Sequence, residues 1–225
     1  MNSLHDETLI PEIIFEDVHV IVLSKPSGLL SQSSKAGDFN LVTWTRSHVG
    51  RHYVGLIHRL DRETSGLMVL AKRSKAAERL TRSLQSGQID RHYQAFIHGK
   101  LEAPLSLSDW LWKDEDRNFT RIVVPHTPGS KYAQTQINPI QYIPEHNLTL
   151  VECILETGRS HQIRAQCAHA GFPLLGDQKY GHPDFYHRVA LHSFFLQFPH
   201  PMSGELLSFK IPVPKDWNTI LGLKT

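Results

Sequence analysis

Residues 58–72 read HRLDRETSGLMVLAK, a polar stretch that passes directly into an apolar run. The polar part places the carboxylate of Asp61 between the guanidinium groups of Arg59 and Arg62. The apolar run 67–71 is typical of a buried strand, and a polar turn before such a strand often presents reactive groups at the rim of a sheet. We therefore expect the chain to be organised around this stretch. Ordinary surface ion pairs are the more common explanation of an isolated Arg-Leu-Asp-Arg string.

The composition of the 225 residues is that of a globular protein, with 40% hydrophobic and 20% charged residues. The first nine residues carry acidic side chains and no apolar segment of the signal-peptide type, and no apolar run approaches the length of a membrane span. The two cysteines, Cys153 and Cys167, lack metal-binding or redox spacing, so we expect two packed, reduced thiols. These features predict a cytoplasmic location.

Positive charge is concentrated around the opening stretch. The net charge of the whole chain is +2, but residues 46–100 hold 11 Lys or Arg against 4 Asp or Glu, and the remainder is net negative. A local excess of this kind is the electrostatic footprint expected for a polyanion such as RNA. A solvated helix face is the alternative explanation for Arg79 and Arg82.

The pattern along the chain predicts an α+β fold. Two helices are indicated by their caps: one follows Asn40 and ends at Gly50, and one runs from a cap at Ser74 to about Gln85. A third helix begins at Ser160 or a neighbour and ends before Gly171. Alternating or apolar runs predict strands at 13–15, 20–23, 91–98, 131–143 and 148–155, with a hairpin within 101–128.

Several strings together resemble the pseudouridine synthases of the RluA type. The string HRLD followed by TSG at 58–66 is similar to the catalytic motif of that family. Further similar strings are KPSG at 25–28, TGRSHQIR at 157–164 and LLGD with KYG at 174–181. Arg91-His92-Tyr93 stands where the family has Lys-x-Tyr, so the charge is kept and the residue is not. The resemblance extends from about residue 13 to about residue 214, without the N-terminal RNA-binding module that some relatives carry.

This resemblance implies one catalytic domain over residues 1–225, with a mixed, mostly antiparallel central sheet flanked by helices and loops and an active-site cleft across the sheet. It implies that Asp61 is the catalytic residue, that Tyr93 stacks on the target uracil, and that Arg164 pairs with Asp61. It further implies that Arg59 fills the place of the flipped base. The other RNA-contacting candidates are Arg62, His58 and Thr64.

The implied activity is isomerisation of specific uridines in ribosomal or transfer RNA, without metal, nucleotide cofactor or membrane. Asp61 would act at C1′ or C2′ of the flipped nucleotide, as a nucleophile or by removing the 2′ proton, and the sequence leaves both routes open. A monomer is the default expectation. Two alternatives remain: a catalytically silent RNA-binding protein of the same fold, and a metal-dependent phosphodiesterase suggested by His161, Cys167 and His169, although their spacing is not of the zinc type.

Overall fold

A computed structural model describes residues 9–33, 38–181 and 183–222. Residues 34–37 lie outside this part, as do residues 1–8, on which the expected lack of a signal peptide rests. The described residues form eleven strands and three α-helices. None of the described helices has both the length and the apolar character that a membrane-spanning segment needs.

The chain divides into two compact units. The first comprises the chain up to Arg91 together with Ser193–Ile211, and the second comprises His92–His192 with the chain from Pro212 onward. Each unit therefore collects segments that are distant in the sequence. The predicted single catalytic domain stays a prediction.

In the first unit, four strands lie in the order β1 (Glu12–Glu16), β2 (Val20–Lys25), β4 (Ser65–Ala71) and β10 (Leu191–Pro199). The pairings β1–β2 and β2–β4 are antiparallel. The short strand β3 (Gly55–Leu56) pairs with the end of β4, and β11 (Leu206–Lys210) pairs with β10. All seven residues of β4 are buried, which explains its unbroken apolar sequence.

Two helices belong to this unit, and local sequence signals set their ends. Helix α1 (Leu41–Val49) begins with a capping box between Asn40 and Thr43 and ends at Gly50, whose left-handed conformation suits glycine. Helix α2 (Ser74–Gln85) buries Ala76 and Leu80 against the sheet. Its N-cap residue is Arg73, and Ser74, the predicted cap, is the first helical residue.

In the second unit, five strands lie in the order β5 (Asp90–His98), β9 (Leu148–Leu155), β8 (Lys131–Ile143), β6 (Leu105–Asp114) and β7 (Phe119–Val123). All four pairings are antiparallel. Strands β6 and β7 form the hairpin predicted within residues 101–128. The bounds of β8 and β9 are those that the alternating pattern predicts.

Two separate regions of the second unit are packed around apolar side chains. Helix α3 (Gln162–His169) packs near β6 and β7 and buries Ile163 and Cys167. Phe96 belongs to a separate apolar cluster, where its ring lies 4.9 Å from that of Trp217. Trp217, in a 3-10 helix at Lys215–Trp217, is fully buried, although it lies beyond the predicted motif-bearing core. The predicted α+β class with a mixed, mostly antiparallel sheet is confirmed.

Candidate active site

The segment that we call the Asp61 loop, residues 58–64, connects β3 to β4 in the first unit. Asp61 is half-buried, and its backbone carbonyl accepts a hydrogen bond of 3.2 Å from the N–H of Thr64. Arg59 and Arg62 are exposed, so both guanidinium groups are accessible to a polyanion. The loop thus presents a carboxylate between two solvent-facing cations.

A second segment, Lys25–Ser31, holds the backbone of the Asp61 loop on both sides of the aspartate. The fully buried ammonium of Lys25 donates to the carbonyl of Arg62 over 3.2 Å and to that of Leu29 over 2.8 Å. The hydroxyl of Ser31 donates to the carbonyl of Leu60 over 2.7 Å and accepts from its N–H over 3.1 Å. The further bonds run from Ser27 Oγ to Glu63 O, from Gly28 N to Arg62 O and from Arg62 Nε to Gly28 O. These contacts give Lys25 a structural role and fix the path of the chain around Asp61.

Gly66, at the start of β4, is the residue that lets the loop enter the sheet. Its φ is +114°, and a Cβ at this position would lie 2.2 Å from the backbone oxygen of Ser193. That distance is far inside van der Waals contact, so every other residue would push β4 away from Ser193. The glycine of the sequence string is therefore required by the close approach of two backbones.

His58, at the start of the loop, is buried with 6% of its surface exposed. Its Nε2 accepts a hydrogen bond of 3.3 Å from the N–H of Val69, which ties the loop to β4. Burial lowers the pKa of His58 to about 3, and the charge of the neighbouring Arg91 adds to this effect. The imidazole is therefore neutral at physiological pH, as an acceptor for an N–H must be. Thr64 is likewise buried, so RNA contact by these two residues stays a prediction.

The neutral state of His58 makes stability depend on pH. Its folded pKa of about 3 lies below the ordinary histidine value of 6.5, so the unfolded chain takes up a proton first as the pH falls. The contribution of the neutral His58 to the free energy of unfolding is therefore complete above about pH 6.5. It is lost progressively as the pH falls from 6.5 towards the folded pKa of about 3. We expect His58 to lower the free energy of unfolding by about 2 kcal/mol between pH 7 and pH 5. His192, with a pKa lowered by burial to about 4, contributes in the same direction.

The measurement is urea unfolding of the wild-type and His58→Gln proteins at pH 7 and pH 5. Glutamine keeps an acceptor and cannot take up a proton here, so the difference in unfolding free energy between the two pH values should shrink by about 2 kcal/mol. His52→Gln, at an exposed position, is the matched control. An undiminished pH dependence in His58→Gln would show that the buried imidazole is not its source.

Tyr93 lies in β5 of the second unit, opposite Cys153 of β9. It shares its strand face with Ala95 and Ile97, as the alternation of the sequence predicts. Only 4% of its surface is exposed. The ring is therefore held in a packed environment, where it has a fixed orientation.

Arg164, in α3 of the second unit, forms a buried ion pair with Asp177. Its Nε donates to Oδ2 of Asp177 over 2.7 Å, and its Nη2 donates to Oδ1 over 2.8 Å. The side chain of Asp177 is fully buried and that of Arg164 is 7% exposed. Oδ1 of Asp177 also accepts from the backbone N–H groups of Lys179 and Tyr180. This bidentate geometry fixes the plane of the guanidinium and uses two of its five N–H groups.

Tyr180 reinforces this arrangement from a second direction. The centre of the guanidinium of Arg164 lies 5.3 Å from the centroid of the Tyr180 ring. The hydroxyl of Tyr180 accepts from the N–H of Thr120 over 2.7 Å and lies 2.8 Å from Nδ1 of His161. Burial raises the pKa of Tyr180, so the phenol keeps its proton and can donate it to His161. Arg164 is thus held by a network that no motif spacing indicates.

Of the predicted site residues, the structure places His58, Arg59, Asp61, Arg62 and Thr64 on one loop of the first unit, and Tyr93 and Arg164 in the second unit. Asp177 and Tyr180 were missed as partners of Arg164, although both stand in the quoted strings at 174–181. Cys153 and Cys167 are free and buried, as expected. Within the described residues, no three His, Cys, Asp or Glu side chains form a group that could hold a metal ion.

Comparison with known proteins identifies the family. Residues 19–169 match the family model described as RNA pseudouridylate synthase. The chain belongs to the RNA pseudouridylate synthase family. The matched range contains Asp61, Tyr93 and Arg164 and begins one residue before β2. The resemblance inferred from the sequence strings is therefore confirmed.

Named relatives of this RNA pseudouridylate synthase family cover most of the chain. "Ribosomal large subunit pseudouridine synthase D" of Neisseria meningitidis serogroup B is 35% identical over 93% of the chain, which spans 60% of that relative's length. "Ribosomal large subunit pseudouridine synthase C" of Haemophilus influenzae is 33% identical over 93% of the chain and 67% of its own length. The fold is similar to that of human RNA Pseudouridylate Synthase Domain Containing 1, with a TM-score of 0.77 at 22% identity, over 92% of this chain and 85% of that one.

Proposed function

We propose that this protein is an RNA pseudouridine synthase that isomerises specific uridines of large-subunit ribosomal RNA. The observation that carries the proposal is the match of residues 19–169 to the synthase family, a range that includes the Asp61 loop, Tyr93 and Arg164. The names of both bacterial relatives refer to the large ribosomal subunit, which supports ribosomal RNA over transfer RNA as the target. A monomer that acts in the cytoplasm without a nucleotide cofactor stays a prediction.

The reaction needs few groups. The N1–C1′ bond of uridine breaks, the uracil turns, C5 joins C1′ and loses its proton, and N1 gains a proton, so neither oxidation nor reduction occurs. In the proposed reaction Asp61 attacks C1′, or it removes the 2′ proton to give an unsaturated sugar. The clamp by Lys25 and Ser31 supports this role, because it fixes the backbone on both sides of the carboxylate.

The other proposed roles follow from the chemistry of each side chain. Tyr93 would hold the detached uracil with its ring face, since a flat ring permits the base to rotate. Arg164 would hold the carboxylate of Asp61 with N–H groups that Asp177 does not use. The firm orientation of the guanidinium by Asp177 supports this role. Arg59 would occupy the space that the flipped base leaves, which offsets part of the few kcal/mol that unstacking costs.

The test is to map pseudouridines in cellular RNA. Carbodiimide-dependent primer stops are compared between cells with the gene, cells without it, and deletion cells that carry either the wild-type gene or the Asp61→Asn variant. We expect one or a few stops in large-subunit ribosomal RNA to vanish on deletion and to return only with the wild-type gene. Loss of stops from transfer RNA on deletion of the gene would identify transfer RNA as the substrate. An unchanged map, together with RNA binding by the purified protein, would support a silent RNA-binding protein instead.

A further inference from the structure

A surface of the first unit far from Asp61 carries an excess of positive charge. We call it the distal corner and define it by the exposed cations Arg46, Arg51, Arg73 and Lys75. Arg46 and Arg51 flank the C-terminus of α1, and Arg73 and Lys75 lie at the start of α2. The inference developed from it rests on the proposed function, because it takes RNA as the substrate.

Contacts of both helices with the turn between β1 and β2 bring the two pairs of cations to one corner. The turn between β1 and β2 lies between the helices: His48 of α1 contacts Glu16 over 2.9 Å, and Lys72, just before α2, donates to the carbonyl of Asp17 over 2.6 Å. Nε of Arg73 lies 3.4 Å from the carbonyl of Val18 in the same turn. Strand β3, which follows Arg51, packs against α2.

The acidic groups of the corner are already engaged. Glu16 pairs with His48 and Lys72, and Asp17 pairs with His200 and accepts from the N–H groups at the start of β2. The four defining cations form no ion pair with any acidic side chain in the described ranges. Their charge is therefore directed to solvent, where a polyanion could reach it.

Helix stability does not explain the cations on α2. The first turn of α2 contains no acidic residue, and its N-cap makes no side-chain hydrogen bond. Positive charge near a helix N-terminus opposes the helix dipole and costs a few tenths of a kcal/mol. Arg73 and Lys75 therefore stand where folding alone would favour Asp or Glu.

The distance from the catalytic loop follows from the strand register. Lys25 pairs with Gly66 and Val20 pairs with Ala71, so the Asp61 loop and the distal corner lie at opposite ends of β2 and β4. The six residue steps of β4 from Ser65, next to the Asp61 loop, to Ala71 correspond to roughly 20 Å. A polynucleotide that reaches both places must extend about six base pairs beyond the target uridine.

We propose that the distal corner binds the phosphate backbone of the RNA substrate, roughly 20 Å from the reacting uridine. It acts as an anchor that selects RNA by length and path, without reading bases. A target presented on a long helical arm gains affinity from this anchor, and a minimal loop does not. Anionic lipid is the rival partner for such a surface, and the experiment includes it.

The experiment measures RNA binding by fluorescence anisotropy as salt is varied. Two labelled hairpins share one uridine-containing loop. A stem of about four base pairs closes the loop in the short hairpin and is too short to reach from the Asp61 loop to the distal corner. A stem of about sixteen base pairs closes it in the long hairpin and is long enough. The test variant is Arg51→Gln with Arg73→Gln and Lys75→Gln. The matched control removes three exposed cations of the second unit: Lys100→Gln, Arg117→Gln and Lys131→Gln.

For the long hairpin, the test variant should lower affinity about 10- to 100-fold near physiological salt, and the slope of log K against log salt should fall by about 2 to 3. The short hairpin should bind equally well to the wild type and to both variants. Equal losses on both hairpins, an unchanged slope, or the same effect in the control would overturn the proposal. The vesicle result that overturns the proposal is binding of phosphatidylserine vesicles by the wild type but not by the test variant, together with an unchanged salt slope for RNA. That result would assign the corner to anionic lipid.

Tritium release from the short hairpin, labelled with 5-tritiated uridine, separates this proposal from the proposed function. Wild-type binding that does not depend on hairpin length, with tritium release intact, would overturn only the anchor. If the wild type binds RNA in a length-dependent way but releases no tritium, the anchor proposal stands and the proposed synthase activity is contradicted.

Discussion

The Asp61→Asn protein is expected to bind RNA as tightly as the wild type and to release no tritium from RNA that contains 5-tritiated uridine. Asparagine has nearly the same size as aspartate, and Asp61 is half-buried on a loop whose backbone is held by other residues, so the fold should be unaffected. The amide, however, can neither attack C1′ nor remove the 2′ proton. We expect the rate to fall by about 10⁴-fold or more, as for loss of an essential catalytic group.

Asp90→Asn is the matched control, because Asp90 is exposed in the same unit and the change removes the same charge. Its rate should equal that of the wild type. Residual turnover of Asp61→Asn within about tenfold of wild type would remove this carboxylate from the centre of the mechanism. Deuterium at the 2′ position then separates the two routes in the wild-type enzyme, since only proton removal from C2′ gives a primary isotope effect on the rate.

The second large effect is expected at Asp177. Replacing it with asparagine removes the partner of a buried guanidinium, and an uncompensated buried charge costs about 3–5 kcal/mol of stability. The same change frees the plane of Arg164, so the catalytic rate should fall by about 10²-fold while the affinity for RNA stays the same. Urea unfolding and single-turnover tritium release measure the two effects separately.

A double variant separates stability from catalysis at this ion pair. Arg164→Met with Asp177→Leu replaces both charges by apolar groups, which often restores the stability that breaking a buried pair removes. We expect this protein to be folded near wild-type stability and to be inactive. Full activity in it would show that Arg164 has no role in the reaction. Glu102→Gln, which breaks the exposed Lys100–Glu102 pair, should change neither quantity.

Features encoded by neighbouring residues were predictable from the sequence. The capping box of Asn40 with Thr43 and the glycine at position 50 set the ends of α1, because these signals act within one helical turn. The bounds of β8 and β9 followed from alternation alone. At α2, two polar residues in succession made the cap ambiguous, and the structure uses Arg73 in place of Ser74.

Features that depend on distant segments were not predictable. The partner of Arg164 is reached through the irregular segment 174–181, which has no periodicity that would show where its side chains point. The requirement for glycine at position 66 comes from Ser193, whose approach to β4 depends on strand order. Trp217 is buried through its contact with Phe96, which no local pattern indicates. Tertiary packing determines each of these features, and only the folded chain shows them.

The interleaved order of the first unit has a consequence for biosynthesis. Strand β4 pairs with β10 along one edge. The backbone N–H and C=O groups on that edge of the apolar strand β4 therefore stay unpaired on the ribosome until Ser193–Ile211 has been translated. At typical elongation rates this interval lasts on the order of ten seconds, long enough for an exposed apolar strand to meet another nascent chain. We therefore expect the emerging polypeptide to need protection by a chaperone during this interval, and the finished protein to need none.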